Sequence, residues 1–206
     1  SASNSSTASR VVNVIDTVAP VITITGNNPA IVELGTTYTD AGASANDANY
    51  GAVDVPVASN VDTSTVGSYT VTYTATDSDG NTATATRTVN VTDTTAPVIT
   101  LAGNASVTVE LGGTYTDAGA TASDVSGVID VTTTGTVDTD TVGTYTLTYS
   151  ASDASGNDAT EVTRTVTVAD TTAPVFTSSS TFVVDEGETD VGTVTATDLQ
   201  AVTFTI

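Results

Sequence analysis

Tyr69-Thr-Val-Thr-Tyr-Thr-Ala75 alternates apolar residues with threonine, and this stretch decides the fold. Successive side chains of a β-strand point to opposite faces, so the pattern places the apolar residues on one face and the threonines on the other. The same alternation returns in Tyr145-Thr-Leu-Thr-Tyr-Ser-Ala151. β-Branched Val and Thr suit a pleated, half-buried surface. We therefore predict a β-sheet with one buried face and one face of threonine.

The two stretches belong to a longer internal repeat. The segment Asp16-Thr-Val-Ala-Pro20 returns as Asp93-Thr-Thr-Ala-Pro97 and as Asp170-Thr-Thr-Ala-Pro174, with a spacing of 77 residues each time. A fixed period of this kind indicates a tandem array of structural units. It divides the chain into the last strand of a preceding repeat, two complete repeats and a partial unit, at residues 1–15, 16–92, 93–169 and 170–206.

Each complete repeat contains about seven strand-like segments separated by turn-forming residues, which predicts an all-β, immunoglobulin-like sandwich. Tyr69 and Tyr145 stand at the start of the penultimate strand, where we expect a tyrosine corner whose hydroxyl bonds to the backbone of the preceding loop. The segment Asp77-Ser-Asp-Gly-Asn81 predicts a hairpin turn between the last two strands.

Arg87 and Arg164 share the strand parity of the core positions. A lone buried charge is costly, so we expect each arginine stem to lie along the edge of the sandwich and each guanidinium group to reach a carboxylate.

Composition excludes many functions. The chain has no Cys, His, Lys, Trp or Met, and 24 acidic residues stand against three arginines for a net charge of −21. Disulfides, His-based catalytic triads and P-loop chemistry are therefore absent, and we do not expect an enzyme. The charge repels nucleic acid and anionic membranes. No apolar run approaches the ~20 residues of a membrane span, and we expect a mature or excised fragment of a secreted protein.

Several motifs resemble the immunoglobulin-like repeats of large bacterial cell-surface adhesins: the Asp93–Ile99 linker, Val109-Glu-Leu-Gly112 and Tyr115-Thr-Asp-Ala-Gly119. The tail from Ala173 through Asp198 resembles the opening of a bacterial cadherin-like domain, although Leu199 follows where that family usually has a second acidic residue. The resemblance implies an extracellular, cell-surface spacer whose partners are neighbouring immunoglobulin-like domains of the same or adjacent chains.

Carboxylates, Asn side chains and backbone carbonyls are the available metal ligands, and such oxygens suit Ca²⁺. The expected topology gathers acids at the poles of the repeats. The pole before the first complete repeat would hold Asp16, Asp40, Asp47, Asp77, Asp79 and Asn81. The junction between the complete repeats would hold Glu33, Asp62, Asp93, Asp117, Asp124 and Asp153. The following junction would hold Glu110, Asp138, Asp140, Asp170 and Asp198.

Crowded like charges repel unless they are neutralised, so we predict Ca²⁺ as a cofactor at these poles. The arrangement resembles the interdomain calcium sites of cadherins, which supplies part of the prediction. The alternative is that each Asp only forms a turn by bonding to its own backbone.

Two other functions stay open. A self-assembling filament would form a homopolymer in which strands of one chain complete a domain of the next, although residues 1–15 and 171–206 together are fewer than one repeat. A carbohydrate-binding module would use Tyr50, which has no counterpart in the second repeat.

Overall fold

The computed structural model describes residues 2–179, 181, 183–188 and 192–203, and every regular element within these ranges is a β-strand. The chain divides into two compact units, Ser1–Thr94 and Thr95–Ile206. No helix in the described part is long and apolar enough to cross a membrane. The all-β prediction is confirmed.

The first unit is a sandwich of two sheets. Its seven strands are β1 (Val21–Ile24), β2 (Ala30–Glu33), β3 (Ala43–Asp47), β4 (Gly51–Val53), β5 (Val57–Ser59), β6 (Gly67–Thr76) and β7 (Thr82–Thr92). One sheet has the order β1-β3-β4 and the other the order β2-β7-β6-β5. β2 pairs with β7 in parallel, and the other pairs are antiparallel.

The second unit repeats this topology. Its strands are β8 (Val98–Leu101), β9 (Ser106–Glu110), β10 (Ala120–Asp124), β11 (Gly127–Ile129), β12 (Thr132–Thr134), β13 (Gly143–Ser150) and β14 (Val162–Ala169). The sheets have the orders β11-β10-β8 and β12-β13-β14-β9, with β9 parallel to β14. A short antiparallel pair follows, β15 (Val175–Phe176) with β16 (Ala196–Thr197).

The core follows the alternation read from the sequence. Val71, Tyr73 and Ala75 of β6 are all fully buried, and β7 contributes Val89 and Val91 from the neighbouring strand. The threonines between them lie on the outer face and are half-buried or exposed. The predicted sheet with one apolar and one threonine face is confirmed.

Both predicted local structures are also confirmed. The backbone N–H of Asp77 donates to the carbonyl of Asn81 at 3.0 Å, which closes the hairpin between β6 and β7. The Tyr69 hydroxyl donates to the carbonyl of Thr65 at 2.8 Å, and Tyr145 repeats this corner in the second unit at 2.8 Å.

The two ends of the chain leave the predicted boundaries untested. Residues 2–20 form no regular strand, and Val12 and Val14 are 72% and 92% exposed. Their assignment to the last strand of a preceding repeat stays a prediction. So does the cadherin-like tail, since residues 189–191 of its motif lie outside the described residues.

Candidate cation sites and buried arginine networks

Three aspartates meet at one pole of the first unit. Asp16 comes from the segment before β1, Asp47 ends β3, and Asp77 follows β6. Each offers a carboxylate oxygen, and these oxygens lie within 4.8 Å of one another. Hairpin loops after β3 and β6 lie side by side at this pole, which explains why the topology brings their aspartates together. We call these three residues the acidic cluster.

Local hydrogen bonds orient Asp77. Its Oδ1 accepts from the backbone N–H of Asp79 at 2.9 Å and of Asn81 at 2.8 Å, and its Oδ2 accepts from the Asn81 side chain at 2.7 Å. Burial would raise the pKa of Asp77, but the hydrogen bonds from Asn81 and Asp79 outweigh it, so the pKa is lowered. Asp77 is therefore held as a carboxylate.

Asp47 carries an unsatisfied oxygen. The residue is only 2% exposed, and its Oδ1 accepts from the backbone N–H of Asn49 at 2.8 Å and of Tyr50 at 3.1 Å. Its Oδ2 is buried and has no hydrogen-bond partner among the described residues. A buried acceptor left without a partner costs about 1–3 kcal/mol, so the cluster contains a position that a ligand would stabilise.

Asp16 fastens the segment before β1 to the unit that follows it. The Asn81 side chain donates to the Asp16 carbonyl at 3.1 Å, and the Asn49 side chain donates to Asp16 Oδ2 at 2.7 Å. The backbone N–H of Asp16 donates to Asp79 Oδ2 at 3.3 Å. The prediction grouped Asp16 with Asp47, Asp77, Asp79 and Asn81, and the structure brings all of these together.

Tyr50 lies at the edge of the acidic cluster. It is 44% exposed, and its hydroxyl donates to Asp79 Oδ2 at 2.5 Å. This hydrogen bond, with smaller contributions from burial and the charges of Asp16 and Asp77, raises the pKa of Tyr50 to about 12.

The second unit contains a similar pair. Carboxylate oxygens of Asp124 and Asp153 lie within 4.8 Å of each other. Asp153 accepts from the backbone N–H of Ser155 at 2.9 Å and of Asn157 at 2.8 Å, as Asp77 does in the first unit. Asp93 is the counterpart of Asp16 by the 77-residue period.

Each unit also buries an arginine. Arg87 is 1% exposed and forms an ion pair with Asp40. The hydroxyls of Tyr38 and Tyr73 donate to Asp40 Oδ1 at 2.8 and 2.7 Å, and the Arg87 guanidinium lies 5.6 Å from the centre of the Tyr73 ring. The second guanidinium nitrogen, Nη2, donates hydrogen bonds to the backbone carbonyls of Thr25 and Gly42.

The second unit copies this network. Arg164 is 1% exposed and pairs with Asp117, which accepts from Tyr149 at 2.7 Å and from Tyr115 at 3.2 Å. The guanidinium lies 5.6 Å from the centre of the Tyr149 ring. The predicted contact of each arginine with a carboxylate is confirmed.

Two expectations need correction. The arginine stems do not lie along the edge of the sandwich, because β7 and β14 are inner strands of their sheets and Arg87 and Arg164 are fully buried. Asp40 and Asp117 are not part of the acidic groups predicted at the poles of the repeats. Each carboxylate instead pairs with a buried arginine and accepts hydrogen bonds from two tyrosine hydroxyls. The repetition of Asp40–Arg87 as Asp117–Arg164 at an unchanged separation of 47 residues is the sequence signal for this pairing.

At the opposite pole of each unit, a glutamate accepts hydrogen bonds from threonines of the segment that follows the unit. Glu33 accepts from the backbone N–H and the hydroxyl of Thr94, both at 2.8 Å. Glu110 accepts in the same way from Thr171 and Thr172, and these hydrogen bonds lower its pKa. Both glutamates thus hold the first residues of the segment that follows the unit.

Two of the other predicted acids, Asp62 and Asp170, have different surroundings. Asp62 accepts from the backbone N–H of Ser64 at 2.9 Å and from its hydroxyl at 2.6 Å, which is the turn-forming role. Burial, followed by the charges of Asp198 and Glu110, raises the pKa of Asp170.

Two segments of the chain, residues 22–91 and 99–168, match the family model described as bacterial surface protein, Ig-like domain. The matched segments cover most of the chain and contain both arginine networks, together with Asp47 and Asp77 of the acidic cluster. The chain belongs to this family.

Similar proteins include one curated relative and several solved structures. Hyalin from Strongylocentrotus purpuratus is 38% identical over 204 residues, which cover 89% of this chain but 16% of hyalin. The lipoprotein BT2262 from Bacteroides thetaiotaomicron is 30% identical, with a TM-score of 0.34, over 39% of this chain and 43% of that one. The protocadherin gammaB7 EC3-6 cis-dimer is 19% identical, with a TM-score of 0.38, over 88% of this chain and 61% of that one. The chain thus spans about one sixth of the length of hyalin.

Membership of this family makes the chain a tandem Ig-like segment of an extracellular, cell-surface protein. The resemblance to bacterial surface Ig-like repeats is confirmed. Surface Ig-like domains of this family belong to a structural, adhesin-like class that is typically non-catalytic.

Proposed function

We propose that the chain is a spacer segment of an adhesin-type cell-surface protein, and that Ca²⁺ stiffens the joints between its Ig-like repeats. The observation that carries the proposal is the hold of Glu33 on Thr94, through two hydrogen bonds of 2.8 Å, and its recurrence at Glu110. A segment held in this way is not a free tether. Its partners in this role are the neighbouring Ig-like repeats.

The segments before and after the first sandwich are each held by that sandwich. Thr94 is bound to the unit before it, while Asp16 is bound to the unit after it by Asn81 and Asn49. By the 77-residue period, Asp93 corresponds to Asp16 and directly precedes Thr94.

Calcium fits the acidic cluster. The cluster offers three carboxylates and an unsatisfied oxygen of Asp47, and Ca²⁺ prefers such oxygen ligands. Arg87 cannot neutralise the cluster because Asp40 already holds it in the core. A divalent cation from the extracellular solvent would supply the missing positive charge.

A joint-stiffness experiment tests the spacer role. Small-angle scattering of the whole chain in millimolar Ca²⁺ should give a narrow distribution of end-to-end distances. Glu33→Ala should broaden that distribution because it releases Thr94, whereas Glu110→Ala should leave the joint between the two repeats unchanged. Equal, broad distributions for the wild type and both variants would refute the spacer proposal.

A thermal melt tests the calcium component. Extracellular calcium modules have dissociation constants of ~10⁻⁴–10⁻³ M, and ligand at 100 times that constant adds about 2.7 kcal/mol per site. The whole chain should therefore melt several degrees higher in Ca²⁺ than in EDTA, with Mg²⁺ as the control. An unchanged melting temperature would leave the acids as turn formers and remove calcium from the proposal.

A further inference from the structure

Residues 7–15 have the sequence of the last strand of a sandwich, although they pair with no strand among the residues that the structure describes. We infer that this segment is a docking strand for an Ig-like sandwich that lacks its own last strand, and that Arg10 selects this partner by pairing with a buried aspartate. The inference rests on the proposed spacer role, in which neighbouring Ig-like repeats are the partners, and it assigns the surface and the residue that join one of them.

The docking strand has the same inner face as β7. The 77-residue period aligns four inward positions with identical residues: Ala8 with Ala85, Arg10 with Arg87, Val12 with Val89, and Val14 with Val91. The three differences, at Ser9, Val11 and Ile15, all fall on the alternate positions, whose counterparts in β7 face outward. Because alternate residues of a strand point to opposite faces, the two segments present the same face to a core.

The valines of this inner face are covered in β7 but not in the docking strand. Val12 and Val14 are 72% and 92% exposed, whereas their counterparts in β7 are at most 1% exposed. A sandwich that enclosed the docking strand as the first unit encloses β7 would remove these apolar side chains from water, which stabilises the complex.

Arg10 specifies the chemistry of the partner. The two other arginines of the chain, Arg87 and Arg164, each pair with an aspartate 47 residues earlier and lie 5.6 Å from the centre of a tyrosine ring. In both networks a tyrosine two residues before the aspartate donates its hydroxyl to the carboxylate. Arg10 is exposed and forms no ion pair with the residues that the structure describes. The partner should therefore supply a Tyr-x-Asp segment and a second tyrosine beside the guanidinium group.

The position of β7 in its sheet shows how the docking strand would bind. β7 lies between β6, with which it pairs antiparallel, and β2, with which it pairs in parallel. A strand in this position gains main-chain hydrogen bonds on both sides, and such bonds give strand addition its affinity. A slip of one residue would turn Arg10 to the outer face, and a slip of two would move its charge away from the aspartate. Arg10 thus fixes the register as well as the partner.

The test supplies the partner within the whole chain. A copy of residues 16–83 is placed directly before Thr7, so that the docking strand follows the copied Ala83 as Thr84 does in the first unit. Amide hydrogen exchange at Val12 and Val14 should slow at least about a hundredfold relative to the unextended chain. Unchanged exchange at both amides would overturn the docking.

Arg10→Gln in the extended chain tests the role of the arginine. This variant leaves the copied aspartate without its buried cation, so exchange at Val12 should accelerate about a hundredfold. Val11→Thr, on the outer face, should leave the exchange unchanged. Arg10→Met combined with Asp40→Leu in the copied unit should restore slow exchange, because apolar residues can replace a buried ion pair. Equal exchange in Arg10→Gln and its parent would overturn the selection by Arg10.

A mixing experiment identifies the source of the partner. The acceptor is the extended chain with residues 7–15 replaced by a Gly-Ser stretch, and the donor is the unextended wild type. Slow exchange at Val12 of the donor would assign the docking to separate chains, and slow exchange in the extended chain alone would assign it to one polypeptide. Neither result bears on the scattering of Glu33→Ala, which reports the joint after the first unit, so a failure of the docking is distinguishable from a failure of the spacer role.

Discussion

Removing the carboxylate of Asp40 should unfold the first unit well below the melting temperature of the wild type. Asp40 is the counter-charge of Arg87, which is 1% exposed. It is also the acceptor for the Tyr38 hydroxyl at 2.8 Å, the Tyr73 hydroxyl at 2.7 Å and the Gly42 N–H at 3.0 Å. Asp40→Ala would leave a buried charge and three donors without this partner.

The magnitude follows from the burial of the pair. Removing one member of a buried ion pair costs about 3–5 kcal/mol, because the other charge remains in the core. The Asp40 side chain is 20% exposed, so water reaches part of the vacated space and the cost should be about 3 kcal/mol. For a domain of this size, 1 kcal/mol moves the melting temperature by about 4–8 °C, so the expected drop is about 12–24 °C.

The assay must report each unit separately. Hydrogen exchange of the Val71 amide in β6 reports the first unit, and that of the Leu147 amide in β13 reports the second. Asp40→Ala should accelerate exchange at Val71 alone. The double variant Asp40→Leu, Arg87→Met should recover most of the loss, because buried ion pairs are often replaceable by apolar residues. A loss under about 1 kcal/mol in Asp40→Ala would refute the role of the network in stability.

Three further predictions concern the pH dependence of stability, the titration of Tyr73 and the steric limits at Gly135, with Gly119 as the comparison. Burial would raise the pKa of Asp40, but hydrogen bonds from Tyr73 and others outweigh it and lower the pKa. The group therefore stabilises the fold above the ordinary pKa of about 3.9, and denaturant melts should show that this stability is lost as the pH falls through the lowered value. Burial and the Asp40 hydrogen bond raise the pKa of Tyr73 to about 12, so its ultraviolet absorbance should not titrate near 10, and a titration there would contradict the network. Gly135→Ala should destabilise the second unit strongly, because φ is +100° and a Cβ would lie 2.3 Å from the carbonyl oxygen of Thr146. In thermal melts, Gly119→Ala, with φ of +76° and nothing within 4 Å of its Cβ, should cost only about 1 kcal/mol.

The fold was predictable because its signals are local. Alternation in Tyr69–Ala75 identifies the buried face of β6, and Asp77–Asn81 forms the expected hairpin turn. Parity also identified Arg87 as a core-facing residue. Parity says which face a side chain is on but not how deeply the face is covered, so the full enclosure of Arg87 could not be read from the strand pattern alone.

The acidic groups at the poles of the units were only partly predictable from the sequence. Loop order correctly brought Asp47 and Asp77 together, because hairpins at one end of a sandwich are neighbours. The same reasoning misplaced Asp40, since it ignored the two tyrosine hydroxyls and the guanidinium that compete for this carboxylate. Tyr50 stood out in the sequence as unmatched between repeats, but its contact with Asp79 depends on a loop conformation that no motif encodes.

The parallel pairing of β2 with β7 has a mechanical consequence. The chain enters the first sandwich through β1, continues into β2 and leaves it from β7, and β2 and β7 are joined along Ala30–Glu33 and Val89–Thr92. A pull on both ends of the unit would draw these strands past each other along their length, which loads the rungs of the ladder together in shear. Antiparallel neighbours pulled from one end would instead unzip rung by rung. β9 and β14 give the second unit the same geometry, so each repeat is built to resist extension as a single clamp.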